Sequence, residues 1–298
     1  MKMLALVLSG LLLAPTDATP TGYRAQVERA REQRASTLAG PEDWLSLVAL
    51  EWLKPGETTV GSAAGSKVRL EHAPAAWLTL HVDEGGGVSV SSVAAGTTAN
   101  GHPLAAGPVS KADGDAGFRQ GSLVATVIRR GDRKYLRVKD AYAKTRVEFR
   151  RLNWYPVDPK LHVIAKWIPA ATPTTLTIPN VLGQVSQAPS PGVAEFTLNG
   201  QTIRLAPIQE EKNALFFIFR DATSRATTYG AGRFLYTALP SNGLTQAGTV
   251  ELDFNLATNP PCAYTPYATC PLPPEQNRLT VAIAAGEKRY GSRTGEGE

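Results

Sequence analysis

The chain has 298 residues, 43% of them apolar and 19% charged, a balance that excludes wholesale disorder and leaves room for two modest domains or one large one. Its net charge of +5 comes without any Lys/Arg tract interleaved with aromatics, which argues against nucleic acid as a partner. The 27 glycines and 22 prolines, with abundant Thr and Val, favour short strands joined by turns over long helices.

The first residues read as a targeting signal. Lys2 gives a positive start, Leu4 to Ala14 is an apolar run, and Thr16-Asp17-Ala18 is a small-residue cleavage site, so residues 1–18 are expected to be removed. The apolar run falls short of the about 20 residues that span a bilayer, and no later run matches it, so a mature chain without a transmembrane segment is expected, secreted or periplasmic. Export is oxidising, and Cys262 and Cys270 are therefore expected to pair across the loop that holds Pro266. Such a short loop contributes about 2 to 3 kcal/mol in the chain-entropy description. Two free thiols are the alternative.

Next comes a helical lead-in over residues 19–56. Tyr23, Val27 and Ala30 stand at i, i+4 and i+7, which predicts an amphipathic helix whose arginines form a solvated face. A second short helix is predicted over residues 41–49, with Pro41 at its first position and Trp44, Leu45 and Val48 on one side. Trp44 and Trp52 read as core.

Over residues 57–150 the period changes to two. Val68-Arg-Leu70, Leu78 to Val82, Val88-Ser-Val90, Leu123 to Ile128 and Tyr135 to Lys139 alternate between turn signals at Gly85-Gly86-Gly87, Asn100-Gly101, Gly114-Asp115 and Gly131-Asp132. That pattern predicts an antiparallel β-sandwich. With Val60-Gly61-Ser62 early and Asn100-Gly101 later, it resembles a forkhead-associated-like sandwich. Such domains read phosphothreonine with an arginine where Ser62 stands here, and with a Ser-x-x-His loop that this chain lacks.

Trp154-Tyr-Pro156-Val-Asp158-Pro159 reads as a linker to a second β domain over residues 160–290, an antiparallel sheet or barrel. Strands are expected at Val163 to Ile168, Thr175 to Ile178, Val193 to Leu198, Gln201 to Leu205, Val250 to Leu256 and Leu279 to Ile283, with a hairpin turn at Asn199-Gly200. Ala214 to Phe219 is apolar on both faces, as a central strand covered on each side would be. The fold class is thus mostly β.

Polar residues crowd the last quarter. The apolar strand ends at Asp221 and Thr223, where the aspartate either caps a turn or belongs to a site. Alternation along Val250 to Leu256 puts Glu251, Asp253 and Asn255 on one face. Arg233 is the natural counter-charge for Asp221 or Asp253, in a ligand cleft or in a buried staple. Asn259 and Asn277-Arg278 would tie the cysteine loop down, while Tyr229, Tyr264 and Tyr267 could supply a general acid or a sugar-stacking wall.

The four histidines, His72, His81, His102 and His162, lie outside this cluster, so a Ser-His-Asp or Cys-His catalyst would need one to reach across the fold. No phosphate loop, dinucleotide fingerprint or closed zinc set is present, and neither a cofactor nor a metal is expected. Asp113-Gly-Asp115 imitates the start of a calcium loop, but Gly117 and Val124 fall at its ligand positions.

The phrase Tyr229-Gly-Ala-Gly-Arg233, then Asp253-Phe-Asn255, Asn259-Pro-Pro-Cys262, Cys270-Pro, Asn277-Arg278 and Gly286-Glu287, is similar to domain-of-unknown-function family 1684 of bacteria and archaea. Trp44-Leu45-Ser-Leu47 and the segment from Arg129 to Asp140 extend the resemblance over nearly the whole mature chain. It implies one family site without an assigned activity. The cluster of Asp221, Thr223, Tyr229, Arg233, Asp253, Asn255, Asn259, Asn277, Arg278 and Glu287 is expected to bind a small polar or glycan-like ligand. Alternatively it serves a hydrolase, with Asp221, Asp253 and Tyr229 as the catalytic candidates or with a divalent ion, or it is purely structural.

Overall fold

The computed structural model of the protein describes residues 20–109 and 117–291; the signal segment and the Asp113-Gly114-Asp115 turn lie outside them. Helix α1 (Pro20–Leu38) leads through a 3-10 turn at Trp44–Ser46 into β1 (Leu47–Trp52), where a second helix was expected. The apolar run Leu47-Val-Ala-Leu alternates buried and half-buried positions against β11 (Arg133–Asp140), so cross-strand pairing outweighs a weak helical period. Trp52 ends at 37% exposure, beneath the cations of Arg133 and Lys54 instead of in the core.

The N-terminal half is a sandwich. One sheet has β2 (Gly56–Gly61), β3 (Val68–Arg69), β4 (Leu78–Val82), β5 (Val88–Val93) and β8 (Gly107–Pro108), in the order β3-β2-β4-β5-β8, with β2 and β3 parallel. The other runs β1-β11-β10-β9-β6-β7, adding β6 (Thr98–Ala99), β7 (His102–Pro103), β9 (Phe118–Gln120) and β10 (Leu123–Arg130). Asn100 and Gly101 both take positive φ (51° and 76°) in the tight turn between β6 and β7. Val60, Leu78, Leu80 and Val90 from one sheet meet Phe118, Ala125, Leu136 and Val138 from the other in a single core. A short helix, α2 (Lys144–Val147), follows.

In the C-terminal half, β12 (His162–Pro179) and β13 (Val185–Leu198) form a long hairpin, flanked by β14 (Gln201–Leu205) and β18 (Gly248–Asp253) in the order β14-β13-β12-β18. A three-stranded sheet faces it, with β16 (Ala214–Phe219) between β15 (Ile208–Glu211) and β17 (Arg233–Ala238). The two expected runs, Val163 to Ile168 and Thr175 to Ile178, are one strand whose pairing with β13 shifts between Pro169 and Thr174.

Strand β16 is covered on both sides. Leu215, Phe217 and Phe219 pack with Trp167, Phe196 and Leu252, while Phe216 and Ile218 pack with Ile178, Phe234 and Cys270. No closed barrel forms among the described residues. Leu279 to Ile283 is not a strand. Its backbone bonds singly to the end of β16, Leu279 N–H to the Arg220 carbonyl (2.7 Å) and Ala222 N–H to that of Val281 (2.9 Å).

In the sandwich, His72 on one sheet's loop bonds Asp140 at the end of the other sheet's β11 (2.6 Å), with the carboxylate buried. The bond from Asp140 raises the His72 pKa above its ordinary value. A raised folded-state value means that this stabilisation is complete below the ordinary pKa of about 6.5 and fades as pH climbs through the folded one. NMR titration is expected to find a His72 midpoint above that of a free histidine, and Asp140→Asn to return it there.

Candidate functional site

Strand β16 delivers Asp221 and β17 delivers Arg233 to the same buried point. Arg233 is 1% exposed and Asp221 3%, with Arg233 Nη2 3.1 Å from Asp221 Oδ2. Nη2 also donates to the backbone carbonyl of Ile283 (2.9 Å), and Nη1 donates to that of Ala285. Asp221 also accepts from Ile283 N–H (2.6 Å) and Thr223 Oγ1 (2.7 Å), and Thr223 bonds Thr228 (2.9 Å). Burial pulls the Arg233 pKa down and Asp221 opposes it. Gly232 makes the approach possible: at φ 107° a Cβ there would meet the Phe219 carbonyl at 2.6 Å and Pro273 at 2.7 Å.

Asp253 and Asn255 belong to a separate network. Strand β18 stops at Asp253, whose carboxylate caps a 3-10 turn over Phe254–Leu256 by accepting from Asn255 N–H (3.0 Å). Asn255 therefore does not share a strand face with Glu251 and Asp253. It is fully buried, donating through Nδ2 to Tyr23 Oη, Asp253 Oδ1 and the Asp158 carbonyl, and accepting from Asp158 N–H (2.9 Å). Tyr23 donates to both oxygens of Asp253 (2.9 Å each), and burial with this carboxylate raises its pKa.

The partner of this network is α1. Its buried stripe is Val27, Arg31 and Leu38, with Tyr23 half-buried, whereas Ala30 is exposed. Arg31, 5% exposed, bonds the Asn255 carbonyl (3.2 Å through Nη2) and lies 4.8 Å over the Trp154 ring. Arg34 reaches the Asn259 carbonyl (3.3 Å). Sequence reasoning missed Tyr23, Arg31 and Arg34 as members. The available signal was their spacing, which keeps one helix face at i, i+8 and i+11.

A third network centres on Glu287, wholly buried. It accepts from Asn259 N–H and Nδ2 (3.0 Å each) and from the Tyr264 hydroxyl. Burial raises the pKa of both Glu287 and Tyr264. Asn277 works alone: its amide closes both backbone groups of Ala206 (2.9 and 2.8 Å) and the Ile218 carbonyl (2.9 Å). Arg278 is exposed and bonds the Pro273 carbonyl; Tyr229 is half-buried and donates to the Cys262 carbonyl (3.1 Å).

Cys262 and Cys270 stand as two thiols, not as the expected disulfide. Each backbone N–H donates to the other's sulfur, Cys262 N to Cys270 Sγ at 3.1 Å and Cys270 N to Cys262 Sγ at 3.3 Å, so the loop is closed by these bonds. Tyr267 N–H bonds Thr265 Oγ1 within the same loop.

Asp221 and Asp253 thus share no partner, and the described bonds of both run inward. Among the described residues no group of three or more His, Cys, Asp and Glu side chains gathers to hold a metal ion. On the far side of Thr269 and Pro271 lies a groove of about 490 Å³. Arg130, Asn180, Gln187, Gln209, Glu210 and Thr269 give it polar walls, over Ile178, Ala188 and Ile208. Arg130 Nε is held by Thr269 Oγ1 (2.9 Å), and the Arg130 carbonyl by Gln184 Nε2 (3.1 Å). Burial, reinforced by Glu211, raises the Glu210 pKa.

Residues 147–288 match the family described as "Protein of unknown function (DUF1684)", and through them the chain belongs to this uncharacterised domain family. The match leaves out the Trp44-Leu45 and Arg129 to Asp140 phrases. The solution NMR structure of an uncharacterised protein from Haloarcula marismortui is similar at 32% identity, over 48% of this chain and 78% of that one, with a TM-score of 0.41. No curated protein matches.

Removing one partner of a buried ion pair strands the other, and Asp221→Ala is expected to cost about 3–5 kcal/mol in urea unfolding. Adding Arg233→Met to it should recover part of that loss; a cost below about 1 kcal/mol would show the pair to be dispensable. Asn255→Ala is expected to loosen α1 while the core persists, read as faster tryptic cleavage at the exposed Arg24 and Arg29.

Proposed function

We propose that this is an exported binding protein, that its ligand is small, polar and carbohydrate-like, and that the ligand sits in the groove beside Arg130. The assignment to the secreted or periplasmic space rests on residues 1–18, whose charge, apolar run and small residues suit a signal peptide. The observation that carries the binding reading is the groove itself: its volume lies within the usual range for small-molecule sites, and one guanidinium, one carboxyl and several amides converge on it over an apolar floor.

In this reading the Asp221–Arg233, Asn255 and Glu287 networks hold the walls and do not touch the ligand. Hydrolysis by a carboxylate pair finds no support, because Asp221 and Asp253 are engaged in different networks. Amides and a guanidinium suit hydroxyl-rich ligands, since they donate and accept in fixed directions.

Thermal unfolding against a panel of mono- and disaccharides and soluble cell-wall fragments tests this. A ligand at about a hundredfold its Kd stabilises the native state by about 2.7 kcal/mol, a rise of several degrees. Ser186→Phe, which fills the groove from an exposed position of β13, is expected to abolish the rise without lowering the unliganded midpoint appreciably. An equal rise in both proteins, or none with any member, removes the groove as the seat.

A further inference from the structure

The groove beside Arg130 lies between two strand edges. Ser186 to Pro189 of β13 are consecutive and all line it, as are Ile208 to Glu210 of β15, whereas the face of a strand would offer every second residue. One end is closed where Ser190 Oγ donates to the Pro207 carbonyl (2.8 Å). At the other, Gln184 Nε2 holds the Arg130 carbonyl, so Arg130 stands at the end nearer the tip of the β12–β13 hairpin.

Its guanidinium is positioned but not neutralised. Nε donates to Thr269 Oγ1 (2.9 Å) and Nη1 to the Arg129 carbonyl (2.8 Å), which fixes the plane and leaves Nη2 without a bond among the described residues. No carboxylate among those residues pairs with it. Glu210 lines the same groove without bonding it, and burial beside Glu211 favours the uncharged form of that carboxyl.

A second cation stands behind the first. Residues paired across β10 and β11 share a face, and Thr126, the partner of Arg137, lies four positions from Arg130, so both arginines leave the sandwich on the same side. Arg137 is 8% exposed, with Nε and Nη2 unpartnered among the described residues. Its guanidinium lies 5.3 Å over the ring of Trp44, which packs against the cluster that includes Ile178, Ala188 and Ile208, the apolar floor of the groove. Burial, with repulsion from Arg130, lowers its pKa to about 10, still charged at neutral pH. Two uncompensated cations thus give this end of the groove a positive potential, which a low-dielectric wall strengthens.

We propose that the ligand of the groove, taken as the binding seat as above, is an acidic sugar, a saccharide bearing one carboxylate or phosphate, and that Arg130 holds its anionic oxygens at the hairpin end while its hydroxyls meet the strand edges. A guanidinium offers fixed N–H donors that suit either anion. A neutral sugar forfeits that contact.

Isothermal titration of the folded full-length protein with matched neutral, uronic and phosphorylated mono- and disaccharides of gluco, galacto and manno configuration tests this. Within a matched set the acidic member should bind about 10- to 100-fold tighter than the neutral one, as a hydrogen bond to a charged group supplies. Added salt should weaken the acidic member's binding more than the neutral one's. Arg130→Gln should erase the preference, and whichever acid binds tighter names the anion. Should Arg130→Gln fail to fold in a thermal melt, the wild-type comparison and Arg130→Lys decide, the latter keeping the charge without the fork and so only part of the preference. Equal affinity for neutral and acidic members, or a preference that survives in folded Arg130→Gln, overturns the acidic class while the groove stands as the seat, provided Ser186→Phe abolishes binding. Binding that survives Ser186→Phe, or none by any member, removes both.

Discussion

A guanidinium enclosed on all sides must be neutralised and hydrogen-bonded where it lies, and the C-terminal half is arranged around that demand at Arg233. Asp221 supplies the charge, and two carbonyls from the segment after Leu279 accept from the two amino groups. The segment is thereby fixed without joining a sheet. Ile283 N–H returns a bond to the same carboxylate, so one ion pair orders the end of β16, the start of β17 and the closing stretch of the domain together.

Elsewhere the same logic appears with amides. Asn277 substitutes for a neighbouring strand by closing both backbone groups of Ala206, and Asn255 does so for the linker at Asp158. Each bond has a modest net worth of about 0.5–1.5 kcal/mol, but an open buried group costs more than a bond gains, so such positions specify shape more than they add stability. Helix α1 extends the scheme across the boundary of the family domain. It lies outside residues 147–288, yet Arg31 and Arg34 cap the carbonyls of Asn255 and Asn259 within them.

Much of this was legible in the chain and some was not, for identifiable reasons. The run from Ala214 to Phe219 shows no alternation because both of its faces are covered, and that absence is itself the signal of a central strand. Asn199-Gly200 places its hairpin through a backbone need that few residue types meet. The pairing of Arg233 with Asp221 follows from charge in an apolar setting. By contrast, alternation carries no mark of where a strand stops, and Asp253 stops β18 by capping, which turns Asn255 out of the expected row. The helical period seen over residues 41–49 loses to β11, a partner more than 80 positions away that no local window contains. The arginines of α1 look solvated because their acceptors are backbone carbonyls, which every sequence has and none displays. The groove beside Arg130 joins residues from both halves of the chain, so no single stretch announces it.

The long hairpin has a consequence for how the molecule behaves in a crowd. Strand β18 pairs only with His162 to Trp167, so β12 runs on without it until the Pro179 carbonyl accepts from Leu272 N–H (2.7 Å). An open strand edge of this length is a template on which a second chain could add, the first step towards runaway assembly. Pro169, Pro173 and Pro179 fall on that stretch of β12, and Pro189 and Pro191 on the facing stretch of β13. A proline has no amide hydrogen to offer an incoming strand. The hairpin can therefore stay extended and well paired to itself while refusing company, a safeguard written in the backbone and independent of what the surface side chains carry.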